Sequence, residues 1–190
     1  MNEIHWNYFL AIEDDLERLS RFVEIDQKNF NCFSIEISRI LLAAAAEVDV
    51  VCKQICKNIN PNSSAENINA YRDEICANYP AIPEFEVVLS RFGLSLRPWE
   101  NWKNPKEPPD WWTAYNKIKH QRHTEYHRGN LKNALNSVAG LFVMVLYLYK
   151  EKATKAELRP SPNLLQVSKN HWGGSAMGGY HSCFSTRYIL

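Results

Sequence analysis

Residues 130–149 read NLKNALNSVAGLFVMVLYLY, and this stretch decides the fold class. Leu131, Leu135, Val138, Phe142, Val145 and Tyr149 recur at spacings of three and four, the signature of one helix face. Asn130, directly before that stripe, is a residue of the N-cap type. From Val138 to Tyr149 the run is apolar on nearly every side, so the helix is expected to lie buried in a core. The run is well short of the ~20 residues that span a bilayer, and no membrane contact is expected.

Working outward, the same periodicity recurs upstream. Phe9, Ile12, Leu16, Leu19 and Val23 mark an amphipathic helix over about 3–23. Ile37, Leu41, Ala44, Val48, Val51 and Ile55 mark a second over about 33–58, where Ala43 to Ala46 give high propensity and thin packing. Asn60-Pro61-Asn62 ends it. Ser63 and Glu66 have capping-box spacing and open a third helix through Ile68, Tyr71 and Ile75. From Phe85 to Leu96 the pattern is less clear: alternation over Glu84 to Val87 and at Phe92, Leu94 and Leu96 fits either a short strand or an irregular apolar segment. The proline-rich stretch 98–110 is a rigid loop, and Asp110 is placed to cap a helix through Trp111, Trp112, Tyr115 and Ile118. The fold class read from this pattern is all-α: a bundle of four to five helices over residues 1–158. Residues 159–190 differ in kind. Gly173-Gly174 and Gly178-Gly179 are interleaved with Trp172, Tyr180, Phe184 and Tyr188, which suggests an irregular C-terminal arm packed on the body or on a partner protein. No internal repeat and no glycine pattern of a nucleotide-binding loop is present.

The 190 residues carry 22 Lys+Arg against 21 Asp+Glu, a net charge of +1. That balance excludes indiscriminate coating of nucleic acid by bulk charge, and the composition is that of a globular chain. The first residues show no basic leader running into a cleavage site. Cys32, Cys52, Cys56, Cys76 and Cys183 are an odd number with no metal-ligand spacing, as expected of reduced thiols in a cytoplasmic protein.

Charge is concentrated between Lys117 and Lys132. Five cations (Lys117, Lys119, Arg122, Arg128, Lys132) face one acid, Glu125, and three of the six histidines fall in the same stretch. A basic, histidine-rich patch at a helix junction suits phosphate binding and proton transfer near neutral pH.

Within the patch, Arg122-His123-Thr124-Glu125-Tyr126-His127 is an Arg-x4-His array with a polar residue after the arginine. Placed directly before the last long helix, it resembles the signature of the HEPN superfamily. The resemblance covers six residues as motif and roughly 9–150 as architecture. A second register is also open: Asn116 to His120 has the Asn-x3-His spacing of the same signature, with Tyr115 where the arginine would stand, which would make a degenerate, RNA-binding-only motif. The Arg122/His127 register keeps both chemical groups.

The resemblance implies metal-independent endoribonuclease activity, needing no cofactor, in a toxin–antitoxin or antiviral defence setting. The ribose 2′-hydroxyl would attack the adjacent phosphodiester and leave a 2′,3′-cyclic phosphate. His127 would move the proton, Arg122 would hold the phosphate bidentately, and His123 would orient the pair. Lys119, His120, Asn116 and Arg128 would contact the RNA backbone. Single-stranded or loop RNA, with bases stacking on Tyr126, Trp111 or Trp112, would be the partner, and a homodimer is implied. Two rival readings stand beside this one. His120, His123 and His127 could ligate zinc from one helix face. The chain could also be a non-catalytic RNA-binding, adaptor or antitoxin-like subunit of a defence complex.

Overall fold

A computed structural model of the chain describes residues 3–178 and 183–190, and the side chains of all these except 176–178, 183 and 184. Gly179 and Tyr180 of the arm therefore lie outside the described residues. The fold is mostly helical, with six α-helices and two small antiparallel sheets among the described residues.

Helix α1 spans Ile4–Leu19 and α2 spans Ile35–Ile59. Ser34 sits in extended backbone ahead of α2, and its hydroxyl accepts the Ile37 N–H at 3.2 Å. This satisfies one of the helix's orphan donors. Helix α3 spans Ile68–Asn78, and here the expected cap is displaced. Asn67, not Ser63, accepts from the N–H groups of residues 69 and 70. Ser63 instead donates to the Glu74 carboxylate at 2.8 Å, which ties the entry loop to the helix it was expected to start.

Helix α4 spans Asp110–Glu125 and α5 spans Leu131–Leu148. Pro109 holds the N-cap position of α4, so Asp110 falls inside the first turn and not at the cap. Asn130 caps α5 as its sequence suggests, accepting the Asn133 N–H at 3.1 Å. Two further N–H groups at that end, of Leu131 and Lys132, donate to the carbonyls of Cys32 and Phe30. The chain before α2 thus seals the start of α5. A five-residue α6, Lys150–Thr154, follows.

Helix α5 is the centre of the molecule. It makes its most extensive contact with α2 and packs also on α1 and α4, while α1 and α4 each pack on α2. Helix α5 is long and apolar enough to reach across a membrane, but 78% of it is buried inside the fold. Burial at about 25 cal/mol per Å² is what fixes it there. Gly140 permits one close approach: a Cβ on it would stand 2.9 Å from Trp111. The Trp99 indole N–H donates to the Gly140 carbonyl at 3.2 Å, and that of Trp111 to the Pro98 carbonyl at 2.8 Å. These bonds dock the proline-rich loop on α5. Buried His5 of α1 contacts Glu47 of α2 through Nδ1 at 2.5 Å and Gln54 through Nε2 at 2.7 Å.

The strands depart from an all-α reading. β1 (Val87–Leu89) pairs with β2 (Leu94–Leu96), the short strand that alternation suggested. The arm is more regular than its composition implied. β3 (Gln166–Val167) joins the far side of β1, while β4 (Trp172–Gly178) and β5 (Cys183–Tyr188) form a separate antiparallel pair. The arm lies on the helical body. Buried Tyr188 meets Phe142 edge-on, and Glu13 of α1 accepts the backbone N–H groups of Asn163, Leu164 and Leu165 at 2.9, 2.9 and 2.8 Å.

Candidate nucleic-acid interface

The residues of the RHTEYH array do not lie at the start of α5. Arg122, His123, Thr124 and Glu125 form the last turn of α4, after a break at Gln121 where φ is −137° and ψ is 38°. Tyr126, His127 and Arg128 form a 3-10 turn that leads through Gly129 to the Asn130 cap. The turn is pressed on α2 at Gly129, where a Cβ would stand 2.1 Å from the Ser38 hydroxyl. Asn133 reaches back to the Arg128 carbonyl at 2.9 Å. The site is thus a hinge between two core helices, held by backbone contacts.

Electrostatics divide the charged groups. Arg128 is paired with Glu125. Its guanidinium holds the Glu125 carboxyl below the usual carboxylate range, with Lys117 and His127 adding to the pull. The one acid of the stretch is therefore occupied. Lys117 donates to Gln121 at 3.4 Å, and Lys119 sits over the Tyr115 ring, 5.5 Å from its centroid. Arg122, His120, His123 and His127 are exposed, and among the described residues none of them makes a hydrogen bond or an ion pair. Lys119, Arg122 and Lys132 are cations with no carboxylate partner there.

Two depressions flank the seam between α2 and α4. The first, of about 910 Å³, is lined by Ile35, Ser38, Arg39, Leu42 and Ala43 of α2 and by Arg122, His123 and Tyr126 opposite. It is largely apolar and has no carboxylate in its wall. The Arg39 guanidinium is shared by Asp15 at 3.0 Å and Glu36 at 2.8 Å, so Arg122 is its unpaired cation. The Tyr126 ring meets Phe33 edge-on with centroids 5.5 Å apart, and its hydroxyl is buried without a partner among the described residues. The second depression, of about 540 Å³, gathers Asn116 and Lys119 with Asp49, Glu66, Asn67, Asn69, Trp112 and Tyr115.

The geometry thus separates the residues named from the sequence. Arg122 and His123 share one depression, Asn116 and Lys119 the other, and His120 and His127 line neither. Trp111 and Trp112 are core residues, 2% and 7% exposed, which leaves Tyr126 as the aromatic at the surface beside Arg122. Helix α2 supplies half of the first depression from some 80 residues upstream. The one hint of it in the sequence is the run of small residues at Ala43.

A zinc site from His120, His123 and His127 assumed an unbroken helix, and Gln121 interrupts it. Among the described residues no group of three or more histidines, cysteines or acids is placed to hold a metal ion. Cys52 and Cys56 are buried free thiols, and burial pushes Cys56 up to about 12. Both thiols pack as small apolar groups in the core. No protein-family model, curated protein or solved structure matches the chain.

Proposed function

We propose that α1, α2, α4 and α5, with α3 against them, form a HEPN-like bundle whose α4–α5 hinge binds RNA and cleaves it without a metal. One observation carries the reading. Arg122 is an exposed guanidinium without a carboxylate partner among the described residues, flanked by two free imidazoles, in a stretch whose only acid is taken up by Arg128. A guanidinium in that setting is available to a phosphate.

In the proposed reaction Arg122 binds the non-bridging oxygens of the scissile phosphate. The 2′-oxygen attacks phosphorus, its proton passes to an imidazole, and the 5′-oxygen leaves with a proton, giving a 2′,3′-cyclic phosphate. His127 serves that proton transfer and His123 orients the phosphate against Arg122. An imidazole nitrogen can take up a proton and give it back, which is the chemistry this transfer needs. Lys119, Asn116, His120 and Arg128 contact the flanking backbone. The resemblance further supports a homodimer in a toxin–antitoxin or antiviral setting, the odd number of cysteines a cytoplasmic location, and the aromatic composition of the arm a contact with a protein partner.

A second reading, an RNA-binding or adaptor subunit without cleavage, is favoured by one specific observation: His127 lines neither depression. Total RNA incubated with wild type, Arg122→Ala and His127→Ala in excess chelator separates the two. Cleavage lost in both variants supports the ribonuclease. RNA bound but left intact by all three supports the subunit.

A further inference from the structure

The depression beside Arg122 has a composition that the cleavage chemistry does not require. Its floor is aliphatic, from Ile35, Leu42 and Ala43, and Ile35 is left 75% exposed. Folded chains gain by burying aliphatic side chains against a partner surface, so an aliphatic floor left open is a surface to be covered. Two local features hold it open. Ala43 is too short to fill the space across from α4, and the break at Gln121 takes the last turn of α4 out of the register that packs Trp112, Tyr115 and Ile118 inward.

The walls state what would cover the floor. One is the Tyr126 ring, which meets the Phe33 ring edge-on. The rim carries a single unpaired guanidinium, Arg122, because Arg39 is already shared by Asp15 and Glu36. No carboxylate lines the groove. An apolar floor, one aromatic wall and one free cation complement a flat, weakly polar ring with a single phosphate beside it. A volume of about 910 Å³ lies within the ~300–1,000 Å³ of sites that enclose small molecules.

We propose that the groove between α2 and the end of α4 is a nucleobase subsite, which takes one unstacked base of a single-stranded RNA next to the phosphate held by Arg122. The inference rests on the reading that this hinge binds RNA, and it names what that reading leaves open. The base enters between Tyr126 and the Leu42–Ala43 floor. A base paired within a duplex stays in its stack and cannot enter, so the groove selects single strands and loops.

The test is equilibrium binding of the full chain to a short single-stranded oligoribonucleotide and to a series in which one nucleotide at a time is abasic. For wild type, one abasic position is expected to weaken binding at least tenfold and the others to change it little. Ala43→Trp fills the groove from a half-buried position. It is expected to bind the intact strand at least tenfold more weakly and to lose the sensitivity to the abasic position. Ile35→Asn, neutral and at a site exposed enough to leave folding untouched, is expected to weaken the intact strand in the same position-dependent way. Arg122→Ala weakens every strand in the series alike. Groove variants with wild-type affinity and an unchanged abasic profile would overturn the subsite while leaving RNA binding in place, and would assign the floor to a protein partner instead. No affinity of wild type for any single strand would overturn the RNA reading itself, and the subsite with it.

Discussion

Replacing Glu13 by alanine removes the carboxylate that fastens the C-terminal arm to α1. Glu13 is 2% exposed and accepts three backbone N–H groups, of residues 163, 164 and 165. Leu164 and Leu165 are buried, so their N–H groups have no water to turn to, whereas Asn163 is exposed and does. A buried donor left unsatisfied costs about 1–3 kcal/mol, so two cost roughly 2–6. Part of this is offset because the carboxylate itself resists burial: desolvation, with Glu17 adding to it, leaves its pKa raised despite the three amide donors. The net expectation for Glu13→Ala is a loss of about 2–4 kcal/mol, a large share of the ~5–15 kcal/mol that holds a domain folded.

Glu13→Gln supplies the control. Both buried amides use the same oxygen, Oε1, at 2.9 and 2.8 Å, and an amide oxygen can replace it. Only the exposed Asn163 N–H then faces a donor, so the loss should stay near 1 kcal/mol. The pH dependence follows from the raised pKa. Between the unfolded value near ~4.3 and the raised folded value the native state holds more protons. Stability from this group therefore falls as pH rises through that window, and the slope is absent in Glu13→Gln. Urea unfolding across pH, with amide exchange read at residues 164 and 165, measures all of this. Equal losses in the two variants, or a loss below about 1 kcal/mol in Glu13→Ala, would refute the account of the arm.

Three shorter expectations concern the hinge and the core. Gly129→Ala drives a methyl to within 2.1 Å of the Ser38 hydroxyl and should cost about 1–3 kcal/mol; adding Ser38→Gly should recover part of that in thermal unfolding. Gly140→Ala places a methyl 2.9 Å from Trp111 and should cost a similar ~1–3 kcal/mol, with a shift in tryptophan emission as the indole moves. Asn130→Ala removes the cap of α5 and should cost about 1 kcal/mol, seen as faster amide exchange at Asn133.

The helices were legible because their signal is local. Leu131 to Tyr149 and Ile37 to Ile55 repeat every three to four residues, and the Asn130 cap acts on its own first turn. What escaped was set by competition or by distance. Ser63 and Asn67 are both good caps, and Ser63 was taken by Glu74, a partner eleven residues away. The arm's strands hold glycines where alternation would show, and β3 exists because β1 offers it an edge. The site was legible as a cluster of charge and as the Arg122–His127 spacing within it. Its floor was not, since Ile35, Leu42 and Ala43 are ordinary residues of an amphipathic helix until the break at Gln121 uncovers them. The same break removes the helical spacing on which a three-histidine metal site depended.

Arg122 and His127 are proposed to cleave RNA at the α4–α5 hinge. End-group analysis of RNA treated with wild type and His127→Ala in excess chelator tests it most directly. The claim predicts 2′,3′-cyclic phosphate ends with wild type and a loss of cleavage of at least 100-fold in the variant, the lower end of what a positioned acid–base group contributes (~10²–10⁴). Cleavage undiminished in His127→Ala, or products without cyclic phosphate ends, would contradict it.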